Sequence, residues 1–250
     1  MRVGLFITCL TDTFFPRVGV AVVKALRHLG CIVEFPQAQT CCGQPGYNTG
    51  LHAEAASLID RMATVFEEYE YVVSPSGSCV AMVKLHGPNL FAPEHSRAAA
   101  VEALASKTYE FATFLTDVLR VDWDALGVKC PGPFTYHYPC HLRGITDPNQ
   151  AQALVGRLGE GFASMERYDS CCGFGGTFAA SYPEISDSML ADKIGCIEAT
   201  GAETLICNEG GCGLNIAGGL HRRGSTVRVR HLAEIIAEAQ GWELPTEAST

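Results

Sequence analysis

The stretches VGLFITC (residues 3–9), CCGQPGYNTG (41–50) and YVVSPSGSC (71–79) return, in the same order, as FTYHYPC (134–140), CCGFGGTFAA (171–180) and TLICNEGGC (204–212). In the first set Cys9 lies 32 positions before Cys41, and Cys79 lies 38 after it. In the second, Cys140 lies 31 before Cys171, and Cys212 lies 41 after it. The segments downstream, TYEFATFLTDVL (108–119) and VRHLAEIIAEAQ (229–240), also echo each other. A register kept over this length points to a duplicated domain.

Hydrophobic periodicity places the cysteines. Val3–Thr8 is a short apolar run of the kind that forms a buried parallel strand. Val18, Val22, Leu26 and Leu29 fall at helical spacing, with Gly30 beyond them as a C-cap. Cys31–Phe35 reads as a second strand. Leu51, Ala55, Leu58, Met62, Val65 and Tyr69 mark a helix, and Tyr71–Ser74 a third strand. The second half gives strands at Phe134–Tyr138, Phe162–Tyr168 and Thr204–Ile206, with helices near 147–159 and 183–199. The fold class is therefore α/β: two duplicated βαβαβ domains with parallel sheets. Their expected extents are 1–126 and 127–242, joined through the Gly- and Pro-containing stretch 127–133, with a polar flexible tail over 243–250. Cys9, Cys41–Cys42 and Cys79 each follow the C-terminal end of a strand, where open parallel sheets place ligand sites. Cys140, Cys171–Cys172 and Cys212 repeat that placement. Gly43 and Gly173 follow each pair where the chain must turn sharply.

Composition narrows the chemistry. The 250 residues are 47% hydrophobic and 18% charged, carry a net charge of −9, and include 12 cysteines. An acidic chain without Lys/Arg runs is not expected to bind nucleic acid. No apolar run near the start approaches the roughly 20 residues that span a bilayer, so no integral membrane segment is expected. The absence of an export signal leads to a cytoplasmic expectation, in which thiols stay reduced and cysteine-rich sites hold metals. Thiolate-only donors select zinc or iron–sulfur clusters. Zinc sites usually draw on C-x₂₋₄-C pairs, which the eight strand-end cysteines lack. Adjacent cysteines suit the several corners of an iron–sulfur cluster better than one small ion. Zinc in one half and purely structural thiols remain alternatives.

The other cysteines read differently. Cys31 and Cys196 fit buried hydrophobes, and Cys130 is a free thiol without a counterpart. Cys207 ends a strand and is the extra cysteine best placed to ligate. His141 and Arg143 follow Cys140 and read as a structural histidine and either a surface arginine or a charge balancing thiolates. CCGFGGTF has a G-x-G fragment but lacks the third glycine of a dinucleotide site. No P-loop, nucleophile elbow or HExxH occurs, and no acidic pair suggests a general acid or base.

The doubled C…CCG…C pattern resembles the cysteine-rich CCG domain of heterodisulfide reductases and of the iron–sulfur subunits of glycolate oxidase. The segments VGLFITCLTD, FPQAQTCCGQPGYN, YVVSPSGSC, CCGFGGTF and LNIAGGL are closer still to the lactate utilization protein A family, over about residues 2–240. That resemblance implies an iron–sulfur electron-transfer subunit in the oxidation of L-lactate to pyruvate. A ferredoxin-like iron–sulfur subunit and a third lactate-utilization subunit would be its partners, and Cys9, Cys41, Cys42, Cys79, Cys140, Cys171, Cys172 and Cys212 would hold a [4Fe–4S]-type cluster. Other members of the wider family reduce disulfides or quinones, and some relatives carry zinc in one domain. The family motif closes in CxxC, whereas this chain has Ser76 and Glu209 at the first position of that pair. Each half thus offers four strand-end thiols unless Ser76 or Cys207 adds a donor.

Overall fold

A computed structural model describes residues 1–246. The chain divides into two compact units, the first ending at Leu119. The join expected at 126/127 falls at the end of a short helix, Trp123–Leu126, whose C-cap Gly127 has φ 65°. Of the tail, residues 247–250 lie outside the described residues, and 243–246 carry no regular structure.

The first unit is built on four parallel strands, β1 (Arg2–Leu5), β2 (Ile32–Glu34), β3 (Tyr71–Ser74) and β4 (Thr108–Glu110), in the order β2-β1-β3-β4. The helix Pro16–His28 crosses from β1 to β2 and buries Val18, Ala21, Val22, Ala25 and Leu26. Pro16 is suited to its first turn, where no intrahelical N–H is required. Between β2 and β3 the helix His52–Val65 turns Ala55, Ile59, Met62 and Ala63 inward. Its buried face thus only partly matches the expected one: Leu51 is exposed, Leu58 half-buried, and the helix stops at Val65 rather than continuing to Tyr69. With Phe6, Phe66, Val72, Met82, Val83, Val101 and Leu104 this face forms a core that reaches Cys42 and Cys79.

In the second unit β5 (Phe134–His137), β6 (Thr204–Cys207) and β7 (Arg228–Arg230) are parallel in the order β5-β6-β7. The strand expected over Phe162–Tyr168 shrinks to one parallel bridge, Phe162 to Phe134. The Ala163 N–H donates to the Phe134 carbonyl and the Tyr138 N–H to the Tyr168 carbonyl. Between them the chain turns, with Arg167 at φ 54°, and no ladder can continue. The bridge still lies beside β5 as β2 lies beside β1, so both halves share one strand plan. The echoing segments 108–119 and 229–240 each contribute to that plan, through β4 and β7, an added edge strand that periodicity does not assign.

No helix among the described residues is long and apolar enough to cross a membrane. Leu26→Ala, at a fully buried position, is expected to lower unfolding free energy by about 2–5 kcal/mol. Ile32→Thr, on the edge strand with its side chain 60% exposed, should stay within roughly 0.5 kcal/mol. Chemical denaturation of both variants checks the pair.

Candidate metal centre

Each unit gathers its thiols from three loops at the C-terminal ends of parallel strands. In the first, Cys9 opens a short helix after β1, Cys41–Cys42 lie in the loop after β2, and Cys79 sits in the helix Gly77–Ala81 after β3. The Cys42 and Cys79 sulfurs are 3.2 Å apart. The Gly43 N–H points at the Cys41 sulfur from 3.5 Å, and Gln44 Nε2 donates to the Ser78 carbonyl, tying two of the loops together. In the second unit Cys140 begins the turn Cys140–Leu142, Cys171–Cys172 precede the helix Thr177–Ser181, and Cys212 lies in Gly210–Arg222. Cys172 and Cys212 sulfurs are 3.1 Å apart, and the Gly173 N–H reaches Cys171 Sγ at 3.4 Å.

The turn after each pair requires glycine. Gly43 and Gly173 have φ of 87° and 86°, a region that side-chain-bearing residues enter only under strain. A Cβ would also lie 3.2 Å from Ala55 Cα in one case and 2.5 Å from the Ser186 carbonyl oxygen in the other. The pairs are thereby pressed against the following helix, and Ser186 Oγ in turn donates to the Gly173 carbonyl.

All twelve cysteines are free thiols. Sulfurs 3.1–3.2 Å apart are well beyond a disulfide bond of about 2.05 Å. They are nearer the separation of roughly 3.8 Å across a tetrahedral site with metal–sulfur bonds of about 2.3 Å. Hydrogen bonds from Cys42 and then Cys9 hold the Cys41 thiol far below its ordinary pKa, and Cys140 and then Cys172 do the same for Cys171. The donors move the other way: Cys9 and Cys140 are raised, first by donating to that thiolate and then by burial. Without a cation, these pockets accommodate charge on one thiol by keeping its neighbours protonated. The donor chemistry, a run of neighbouring thiols in each unit with its inner pair in contact, fits a thiophilic metal or iron–sulfur group; among the described residues the compact set of three donors lies in the second unit.

Around the thiols the two units differ. The positions first in the missing CxxC pair serve as helix caps: Ser76 Oγ accepts the Cys79 N–H at 3.4 Å, and the Glu209 carboxylate accepts the Gly211 N–H at 3.2 Å. Cys207 is buried beneath Cys172 and Cys212, with its thiol directed at the Glu209 carbonyl 3.5 Å away. Arg143 is an exposed side chain bound to Asp169, and His141 Nδ1 stands 3.8 Å from Cys140 Sγ. Cys31 and Cys130 are buried thiols whose pKa burial raises. Cys196 packs half-buried against the second core.

Sequence reasoning missed two residues, His137 and Lys193. His137 ends β5, fully buried, and its ring nitrogen lies with Cys172 Sγ and Cys212 Sγ in a group spanning no more than 4.8 Å. Burial first, and then the charge of Lys193, lower its pKa to about 3 and keep the ring neutral. Lys193 is itself 1% exposed and donates to the Arg167 carbonyl at 2.6 Å. A signal was present: a histidine ends a buried strand where the first repeat, three residues before Cys9, has Phe6.

A family model described as a cysteine-rich domain, CCG, matches residues 3–84 and again 134–217, the two thiol-bearing repeats. A Lactate utilization protein A from Exiguobacterium sp. is 43% identical over 241 residues, covering 95% of this chain and 97% of its own. The chain belongs to the lactate utilization protein A family. Its Bacillus licheniformis member is 43% identical over 239 residues, covering 94% of this chain and 99% of its own. Among solved structures, a Yersinia pestis protein described as a candidate Asp/Glu racemase superposes with a TM-score of 0.38 at 14% identity, over 95% of this chain and 96% of that one. That likeness is too loose to carry an argument about function.

The thiol ordering is open to titration. In reduced, metal-free protein, alkylation at Cys41 and Cys171 should change little between pH 6 and 8, because a thiol with a depressed pKa is already ionised there. Alkylation at Cys9 and Cys140, whose pKa values are raised, should climb about tenfold per pH unit. Mass-spectrometric mapping should therefore find Cys41 ahead of Cys9 at pH 6, although Cys9 is the more exposed.

Proposed function

We propose that this chain is an iron–sulfur electron-transfer subunit of an assembly that oxidises L-lactate to pyruvate. The observation that carries this reading is the run of neighbouring thiols at the strand ends of each unit, its inner pair in contact, in a chain whose relatives are named for lactate utilization. Cys9, Cys41, Cys42 and Cys79 would hold the metal group of the first unit, and Cys140, Cys171, Cys172 and Cys212 that of the second. A [4Fe–4S]-type cluster bound there would supply one-electron transfer.

The residues of the chain account for the rest. Gly43 and Gly173 direct backbone N–H groups at the thiolates, which stabilises their negative charge. Phe6, Ile59 and Met62 in one unit, and Leu190, Ile194 and Ile216 in the other, exclude water from the inner sulfurs. Conversion of lactate to pyruvate releases two electrons and two protons, and the sequence has no recognisable nicotinamide or flavin fingerprint to receive a hydride. The lactate-binding and first-acceptor roles are therefore assigned to partners: a ferredoxin-like iron–sulfur subunit and a third lactate-utilization subunit, acting together in the cytoplasm.

A second reading, zinc in one unit serving as a structural scaffold, is favoured by the 3.1–3.2 Å sulfur separations, which resemble the spacing around a single ion more than that around a multi-iron group. Iron, zinc and acid-labile sulfide per chain after anaerobic purification, with an EPR spectrum of the same sample, separate the two. Iron with matching sulfide and a redox-dependent signal is the expected result. Zinc without sulfide, together with failed reconstitution by iron, would overturn the electron-transfer role. Cys41→Ser and Cys171→Ser should each remove about half of the bound metal, the share of their own unit, and Cys196→Ser should remove none.

A further inference from the structure

Comparing the two repeats position by position exposes a difference beneath the thiols. Three residues before Cys9 stands Phe6, and three before Cys140 stands His137. Five before Cys79 stands Ser74, and five before Cys212 stands Cys207. The glycine turns align the following helices as well, since Gly43 abuts Ala55 and Gly173 abuts Ser186. Seven residues further along, Met62 in the first unit corresponds to Lys193 in the second. All six side chains are buried. The first floor is thus Phe6, Met62 and Ser74, while the second is His137, Lys193 and Cys207.

Of these six, Ser74 and His137 have buried polar atoms without a hydrogen bond of normal geometry, and His137 is the one that could ligate a metal beside the thiols. It pairs in register with Cys207 on the neighbouring strand, so its side chain is held on rigid backbone. It is 0% exposed, yet neither ring nitrogen makes a hydrogen bond of normal geometry. The one backbone group close enough to bond the ring is the Tyr168 carbonyl, and it stands outside normal hydrogen-bond geometry. Buried polar groups without partners are rare, and each calls for an explanation. Here the groups within reach are sulfurs: a ring nitrogen, Cys172 Sγ and Cys212 Sγ lie within 4.8 Å of one another. Metal–nitrogen bonds of about 2.0 Å and metal–sulfur bonds of about 2.3 Å would span a group of that size.

We propose that His137 is a metal ligand, giving the second unit a mixed nitrogen–sulfur centre in which His137 joins Cys172 and Cys212, while the first unit's centre is ligated by thiolates without an imidazole. The proposal rests on the metal-centre reading above and extends it: the duplicated sites are chemically distinct. Neutral imidazole adds a donor to the inner set without adding negative charge. Lys193 is a buried side chain close to the same thiols.

The test uses the full chain carrying Cys41→Ser, so that metal is retained by the second unit. The metal found there, iron or zinc, is examined by X-ray absorption at its own K-edge. The expected result is a nitrogen shell at about 2.0 Å beside sulfur at about 2.3 Å, with the multiple scattering of an imidazole ring. Adding His137→Phe, which installs the residue of the equivalent first-unit position, should abolish the nitrogen shell and speed metal loss to a chelator at least tenfold. The spectrum with His137 in place needs no change at that position, so a misfolded His137→Phe protein would not rescue or sink the idea. A shell of sulfur alone, with metal bound, would overturn the ligand role and leave the metal centre standing. Wild-type protein that binds no metal after anaerobic reconstitution would overturn both.

Discussion

Neighbouring sulfurs whose inner members are shielded from water cannot all carry charge unless something positive sits among them. Two unit charges about 4 Å apart repel by roughly 4 kcal/mol even at an effective dielectric of 20. Each unit relieves that repulsion locally by chains of S–H donors ending at Cys41 or Cys171, backed by one backbone N–H. The sheet exists in the form that this crowding demands. Only parallel strands bring three successive loops to the same edge, and glycine after each pair lets adjacent cysteines fold back over the helix that follows.

Duplication preserved that upper layer and released the lower one. The thiols, the glycine turns and the strand order match between the halves, whereas two of the residues packed underneath differ in character, Phe6 and Met62 against His137 and Lys193. Phe6 and Met62 make the first floor part of an ordinary core. His137 and Lys193 make the second floor a place where burial is unfavourable without compensating partners. The Lys193 ammonium finds backbone carbonyls; the His137 ring has only the Tyr168 carbonyl nearby, outside normal hydrogen-bond geometry. One half has thus kept its stability close to the apolar limit, and the other has accepted buried polarity beside its sulfurs.

Much of this was legible in the residues, because the repeat supplies an internal comparison. Parallel strands betray themselves as short apolar runs, and the strand-end cysteines follow by position. Leu190, Ile194 and Ile197 are buried as their spacing indicates. Edge strands were harder to see: β4 and β7 have only three residues each, too few for periodicity to register. Phe162–Tyr168 has strand-like composition, but Arg167 turns the chain out of the extended region. The helix face was partly misplaced because Leu51 and Tyr69 keep the spacing without lying on the buried side of a helix. His137 escaped notice because a lone histidine in an apolar strand looks like a packing residue until its neighbours in space are known.

The exposure of Cys9 has a further consequence. Cys9 is an exposed residue, whereas the corresponding Cys140 is partly covered. Dioxygen and peroxide reach the Cys9–Cys41 pair more readily than the more covered Cys140–Cys171 pair, and oxidation of its thiolate, Cys41, to sulfenic or higher acids removes a donor. Handling in air would therefore strip the amino-terminal half ahead of the carboxy-terminal one. A preparation with half its complement would then record the weather the protein had met rather than the number of sites it was built with.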